Sequence, residues 1–527
     1  MTASLREVAG RRFDAVVIGG GINGAGIARE SALAGYATLL VERNDFASGT
    51  TSRATRLIHG GLRYLEHGEL GLVYESLAER ETLVRDAPHL VRPLRMLVPV
   101  YDGDRRPPWM MRAGLTLYDA LSFRKSLPRH RSMPVSRLAE YEPGLERRGL
   151  RAAYTFFDAQ VEFPERLVLE SVREFTGAGG VALNHVTATS IASPGGVVRA
   201  VRLRDGCSAD EVEVQTSVVV NAAGPWVDAV LAGSDAERHQ KLIGGTKGSH
   251  LVAEWPGGPK HAVFAAAKSD GRPFFILPWY RYTLVGTTDL RYDGDPSAAR
   301  TTPTEVQYLL DEASRLFRAA PLTREAVLYT YSGVRPLPYS PGEREGAITR
   351  RHLVVDQVKR GGPSGLLIVI GGKLTTYRSL ARIALPHIAK YTTPSGTVRS
   401  GGSTPGRVSS GFVAPDDDPL AIYGRRRDEV QAAIAVRPEF AERICPHNPE
   451  VLGQVAYAVE RECAATLADV LLRRLPCGWS ACHALDGAES AARVMGRTFG
   501  WDDARVHEEV ESYKRELAET LVPLDAI

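Results

Sequence analysis

No stretch of about 18 consecutive apolar residues occurs in the chain, so no segment has the composition of a membrane-spanning helix. Cysteine is scarce and odd in number: Cys207, Cys445, Cys463, Cys477 and Cys482, with no CxxC pair. That argues against a disulfide framework or a thiolate zinc site, and no metal centre is expected; a reduced, intracellular protein is. Lysine is also rare, nine among 65 basic residues, which makes a lysine inside a motif more noticeable. The net charge of +3 is too small to argue for a nucleic-acid partner. The opening MTASLREVAGRR carries no apolar core, so a signal peptide is not expected. What remains open from composition is a peripheral membrane contact. At 527 residues the chain is long enough for two or three domains.

What the sequence does have is a run from Phe13 to Glu42, FDAVVIGGGINGAGIARESALAGYATLLVE. Ala15 to Ile18 reads as a buried parallel strand, followed by a turn through Gly19, Gly20 and Gly21. A small-residue helix from about Ala25 to Leu33 and a second strand, Ala37 to Val41, complete a βαβ unit. In this pattern Gly19 makes the tight turn, Gly21 lets the backbone approach a pyrophosphate, and Gly24 brings helix and strand close. Glu42 stands where an acid hydrogen-bonds a ribose hydroxyl. Strand, turn, helix, strand and acid at matching offsets point to a dinucleotide.

Later segments return to the same sheet. The loop Arg43–Ser52, with Thr50, Thr51 and Ser52, leaves the second strand at the end where such folds bind ligands. Val214 to Val220 reads as a strand leading into NAAGPWV, with Gly224 either beside the cofactor or in an ordinary turn. Leu366 to Ile370 runs into GGKLTTYR. The chain divides into nucleotide-domain segments at 13–95, 151–235 and 331–391. Between them lie an excursion at 96–150 and a substrate sheet at 236–330. A Gly/Ser/Thr/Pro-rich linker at 392–419 precedes a helical domain at 420–527. In that last domain Val459, Cys463, Leu467 and Val470 are spaced as one helix face, as are Val506, Val510, Tyr513 and Leu517. The excursion mixes Arg105, Arg106, Arg112, Arg124, Lys125, Arg129, His130 and Arg131 with Trp109, Met110 and Met111, which reads either as a solvated helix face or as a membrane-surface contact.

Several returns to one sheet suit FAD lying lengthwise in a cleft. Cations follow glycine turns three times: Arg63 after Gly60-Gly61, Arg335 after Gly333, Lys373 after Gly371-Gly372. Their convergence would suit a small phosphorylated substrate, since Arg binds phosphate as a fork and Lys as a point charge. His59 and His250 are candidate proton acceptors.

In order, the motifs IGGGINGAGIA, TSRATRLIHGGLRYLEHGE, NAAGPWV, KGSH, GTTD, YSGVRPL, AITR and GGKLTTYR resemble those of FAD-dependent, respiratory glycerol-3-phosphate dehydrogenase, over about Phe13 to Leu380. The resemblance implies an α/β plus α+β fold. Its parts are a discontinuous Rossmann-like FAD-binding domain, an antiparallel substrate-binding sheet similar to that of glycine oxidase and D-amino-acid oxidase, and a C-terminal helical cap. It implies oxidation of sn-glycerol 3-phosphate to dihydroxyacetone phosphate, with electrons passed to a membrane quinone. A cytoplasmic enzyme attached to the inner face of the membrane, and room for a homodimer, go with it. Carried over, Arg63 and Lys373 are substrate-phosphate contacts, Tyr64 their neighbour, and Arg335 a substrate-orienting cation; His250, ahead of His59, takes the hydroxyl proton. Gly19, Gly21, Gly24 and Glu42 hold the ADP half, Thr50, Thr51 and Ser52 lie near the pyrophosphate or ribityl chain, and Gly372, Leu374 and Thr375 approach the flavin. The family commonly has Lys before LIHGG; Arg56 here keeps the charge and shifts the phosphate slightly. An oxygen-using glycerol-3-phosphate oxidase, an amine or amino-acid oxidase, and a flavin-binding scaffold are the alternatives. Arg63 and Lys373 count against the amine or amino-acid oxidase, and the intact cation and histidine sites against the scaffold.

Overall fold

A computed structural model describes residues 4–122, 125–234, 241–346, 348–398 and 418–527. Arg124 and most of the expected linker, 399–417, lie outside the described residues.

The glycine-rich unit builds the centre of a six-stranded sheet. In spatial order its strands are Leu353–Asp356, Leu366–Ile370, Val219–Asn221, Ala15–Ile18, Thr38–Val41 and Val181–Leu183. All pairs are parallel except the first. Such a sheet must be covered on both faces, and its central strands are wholly buried and apolar. Helices Ile22–Leu33, Pro164–Gly177 and Tyr377–Ile388 pack together on one side. A separate four-stranded sheet, Arg12–Phe13, Glu211–Thr216, Ala200–Asp205 and Val186–Ala192, shares a buried apolar cluster with it through Phe13, Ile191, Leu203 and Val214 against Val16, Leu39 and Leu366. The expected single strand 214–220 is therefore two strands in two sheets, broken at Ser217-Val218.

The third sheet has ten strands, and its pairs are antiparallel apart from Ala262–Ala266 beside Val91–Tyr101. It corrects three expected domain edges. Val91–Tyr101 pairs along its length with Leu150–Val161, so neither 95/96 nor 150/151 is a boundary. Val327–Arg335 pairs with Thr246–Ala253, so the edge at 330/331 cuts a strand of the substrate sheet. In both cases one strand carries the chain from the nucleotide half into the substrate half, and hydrogen-bond pairing, not composition, decides where it belongs.

Beyond residue 418 the chain is helical: Arg427–Ile434, Leu452–Arg461, Ala488–Phe499 and Asp503–Thr520. Val506, Val510, Tyr513 and Leu517 do share a buried face. Val459, Cys463, Leu467 and Val470 do not lie on one helix. The helix ends at Arg461, Cys463 has a left-handed φ of 59°, and a wider turn follows at Asp469–Arg474. This domain docks through buried charge. Asp45 accepts from Arg473 Nε at 2.7 Å and Arg474 Nη2 at 2.8 Å; Asp469 accepts from Arg473 Nη2 at 2.8 Å and pairs with His185 Nε2 at 2.9 Å. Asp45, His185 and Asp469 could face a metal ion, but two guanidiniums already neutralise both carboxylates.

Candidate functional site

Helix Ile22–Leu33 begins at Gly21, which has no side chain to cap it. Its first-turn N–H groups therefore face the loop with a positive dipole end. Ile22 N donates to Thr51 Oγ1 at 3.1 Å. Close approach requires glycine at two places here: a Cβ on Gly24 would meet Gly19 O at 1.9 Å, and one on Gly372 would meet Asn23 Nδ2 at 2.7 Å. Asn23 Nδ2 donates to Gly371 O at 3.2 Å, tying the first glycine turn to the last.

These turns open on a cavity of about 750 Å³, within the range of about 300–1,000 Å³ for cofactor pockets. Gly19, Gly21, Glu42, Thr50, Thr51, Gly224, Gly372 and Leu374 line it. Glu42 accepts from Gly20 N at 2.7 Å and Asn44 N at 3.0 Å. Burial raises its pKa while those two donors lower it. A carboxylate, a helix start whose N-cap glycine offers no side chain, and two glycine turns on one cavity are the donor and acceptor set for a dinucleotide, so the residues present fit FAD.

Ser52 and Thr375, expected beside the cofactor, do not line the cavity; both are buried and bond the backbone. Ser52 Oγ donates to Ala47 O at 2.7 Å; Thr375 Oγ1 accepts from His59 N at 3.1 Å and joins the IHGG and GGKLTT turns. Sequence reasoning also missed the outer wall. Helix Asp503–Thr520 lines the cavity with Glu509, Ser512, Tyr513, Glu516 and Thr520, and Arg53 donates to Thr520 O at 3.4 Å.

Beside Lys373 the sequence-predicted cations come together. Lys373 Nζ lies 3.8 Å from the ring centre of Tyr64, and burial pushes its ammonium down to about 7, with Arg350 adding to the effect and Glu69 and Glu75 opposing it. The phenol of Tyr64 is raised by burial, against the pull of Arg350, Arg63 and Arg335 around it. Arg63 Nη2 donates to Gly346 O at 2.9 Å. Arg335 donates to Asp289 Oδ1 at 3.1 Å and to Thr287 Oγ1 at 3.1 Å. Arg350 was not singled out from the sequence, yet its Nη2 donates to the other oxygen of Asp289 at 2.8 Å. Asp289 thus fixes two guanidiniums side by side. The only sequence signal for these two residues was their place in GTTD and AITR.

The histidines flank this cluster from two sides. His250 pairs with Gly286, which pairs in turn with Phe275, and the His59 ring lies 6.3 Å from that of Phe275. His250 stacks on Tyr331 at 4.7 Å, and its Nε2 is 2.9 Å from Thr55 Oγ1. Its Nδ1 is buried and unpartnered among the described residues. Burial, with Arg335 next, holds its pKa well below the usual range; His59 is pushed down to about 4 by burial. Arg56 does not reach the cluster. It is fully buried between Trp279 and Trp479, 4.5 and 4.3 Å from their rings, and bonds Glu165 at 3.3 Å.

Residues 14–378 match the FAD dependent oxidoreductase family, and 417–506 match the C-terminal domain of alpha-glycerophosphate oxidase. A glycerol-3-phosphate dehydrogenase of Synechocystis sp. is 38% identical across 98% of both chains. The crystal structure of glycerol-3-phosphate dehydrogenase from Bacillus halodurans, complexed with FAD, superposes with a TM-score of 0.75. It is 28% identical and covers 98% of this chain and 97% of that one. Glycine oxidase from Geobacillus kaustophilus, at 18% identity and a TM-score of 0.50, shares the fold over 74% of this chain and 97% of its own. With both domains matched in order and a curated relative aligned from end to end, the chain belongs to the FAD-dependent glycerol-3-phosphate dehydrogenases.

Proposed function

We propose that the enzyme oxidises sn-glycerol 3-phosphate at C2 to dihydroxyacetone phosphate and that a membrane quinone receives the electrons. The observation that carries this reading is the group of cations around Tyr64, two of them bracketed on Asp289 and one, Lys373, lining the dinucleotide cavity. A carboxylate-recognising amine oxidase needs one guanidinium; four cations suit a phosphate dianion.

Bound FAD supplies a hydride acceptor and a conduit for two electrons. The chain's residues do the rest. Lys373, Arg63 and Arg350 hold the phosphate, and Arg335 orients the C2 hydroxyl. Arg335 also favours the alkoxide as the proton leaves, because its charge is fixed in a partly buried site. His250 accepts that proton. It is neutral across the working pH range, and Thr55 holds Nε2 so that one ring nitrogen remains for the substrate.

No helix among the described residues is long and apolar enough to cross a membrane. Quinone access on the cytoplasmic face is assigned to helix Pro108–Leu121. It exposes Trp109, Met110 and Leu117, with Arg105 and Arg112 beside them. Within that basic stretch Arg106 pairs with Glu66 and Lys125 with Asp119, which spends those two charges internally, and His130 Nδ1 also lies 2.7 Å from Asp119.

The test is the anaerobic visible spectrum of the FAD-loaded enzyme before and after adding sn-glycerol 3-phosphate. Flavin absorbance that bleaches with this compound and not with amino acids supports the substrate. Reoxidation faster with a quinone than with air supports the acceptor. A spectrum unchanged by glycerol 3-phosphate refutes the substrate.

A further inference from the structure

The C-terminal domain brings two cysteines together in a place the oxidation reaction does not use. Cys445 lies in the loop after Arg443, and Cys482 in the loop after Trp479; their Sγ atoms are 4.0 Å apart. Both loops are outside regular helix and strand. Asn448 Nδ2 points at both sulfurs, 3.0 Å from Cys445 and 3.3 Å from Cys482, and Ser480 Oγ lies 3.3 Å from Cys482 Sγ. The loops are linked a second time by His447 Nε2 and Asp486 Oδ2 at 3.4 Å. Just after Cys482 two successive non-glycine residues, His483 and Ala484, adopt left-handed φ angles of 51° and 52°. Such strain persists only where the surroundings hold it. Here Tyr513 Oη donates to His483 O at 2.6 Å and Tyr282 Oη accepts from Ala481 N at 2.8 Å.

We propose that Cys445 and Cys482 form a reversible thiol–disulfide site oxidised by hydroperoxides. Cys482, the more exposed of the two, meets the oxidant. Its sulfur attacks the O–O bond, forming an S–O bond and releasing water from hydrogen peroxide or the alcohol from an organic hydroperoxide. Cys445 sulfur then attacks that sulfur, the S–O bond breaks, and water leaves. Overall two thiols and one hydrogen peroxide give one disulfide and two waters. Burial raises the pKa of the Cys445 thiol, and the hydrogen bond from Asn448 opposes that rise. A disulfide needs about 2.05 Å between sulfurs, so the gap must close by about 2 Å, a displacement that two loop residues can make by side-chain rotation and small backbone movement. Cys477 is buried nearby and does not meet the oxidant, and it is Cys445 whose sulfur lies 4.0 Å from that of Cys482.

The site has a route to the catalytic face. Trp479, three residues before Cys482, packs edge-on against Tyr331 at 5.7 Å, and Tyr331 stacks on His250. The disulfide therefore fixes the loop that supports the histidine.

The FAD-loaded enzyme would be treated with hydrogen peroxide, quenched, denatured and its thiols counted, with a parallel non-reducing peptide map. The expected result is a loss of two thiols, a cross-link between the peptides carrying Cys445 and Cys482, and full recovery with dithiothreitol. The cross-link should vanish in Cys482→Ser and survive in Cys477→Ala, each variant checked for normal flavin content. Unchanged thiols, a cross-link that survives Cys482→Ser, or dimers joined through the exposed Cys207 would overturn the proposal.

Discussion

Lys373 makes substrate affinity depend on pH with a definite sign. Its ammonium is buried and titrates at about 7 in the free enzyme, while the two nearby histidines are held far below that. A bound phosphate dianion restores the charged form, so its pKa in the complex returns towards the ordinary value of about 10.4. Above pH 7 the free enzyme has therefore lost a proton that the complex keeps. Binding takes one up, and affinity falls as pH rises. Linkage then gives about tenfold weaker binding per pH unit, or about 100-fold between pH 7.5 and 9.5, equivalent to about 2.7 kcal/mol. The ligand does not confuse the reading, because a phosphate monoester with a second pKa near 6 is dianionic throughout. The assay is the inhibition constant of dihydroxyacetone phosphate at half-unit pH intervals. Lys373→Met should bind weaker at pH 7, by about 10- to 100-fold for one lost charge-assisted contact, and should show a flat profile. Lys373→Arg should also be flat, because arginine stays charged. A flat wild-type profile, or a slope that survives in Lys373→Met, refutes the assignment.

Arg335→Ala should retain FAD, because Arg335 does not line the cavity, yet slow anaerobic flavin reduction by about 10²–10³-fold; an unchanged rate in stopped flow removes it from the site. Gly24→Ala places a methyl 1.9 Å from Gly19 O, so the purified protein should lose most of its bound flavin, read as the ratio of visible to ultraviolet absorbance. His185, raised to about 9 by Asp469 against the cost of burial, contributes stability that is full below about pH 6.5 and lost as pH rises through 9. The shift amounts to about 3 kcal/mol, and chemical denaturation of His185→Gln should show a flatter profile over that window. Replacing Trp109 by Ser together with Arg105 and Arg112 by Gln should reduce sedimentation with anionic vesicles; equal binding would mean this helix is simply a solvated face.

What the sequence revealed depended on how local each determinant is. The glycine turn at Gly19–Gly24 and the acid at Glu42 lie in one βαβ unit, so spacing alone exposes them. Arg63 and Lys373 are distant in the chain, but each follows a glycine pair, which left a local trace. Asp289 and Arg350 carry no such trace. Their value comes from one carboxylate receiving two guanidiniums, a relation across 46 residues to Arg335 and 61 to Arg350. The outer wall of the cavity was hidden for another reason: Glu509, Ser512 and Glu516 lie between the apolar positions Val506, Val510, Tyr513 and Leu517 with no local mark, and only the fold lays that helix beside the cofactor loop. Arg56 shows the limit most clearly. Beside LIHGG, and standing where the family has lysine, it reads as a charge-preserving change that shifts the phosphate slightly. In the fold its left-handed backbone, φ 61°, sends the side chain into a fully buried slot between Trp279 and Trp479, against Glu165. A planar guanidinium stacks on both rings and meets a carboxylate at its edge, which a lysine ammonium would do poorly. The residue is therefore an interdomain wedge: it joins the loop that leads into the substrate cluster to Trp479 of the C-terminal domain, and its partners lie 109, 223 and 423 positions away, beyond the reach of any local pattern.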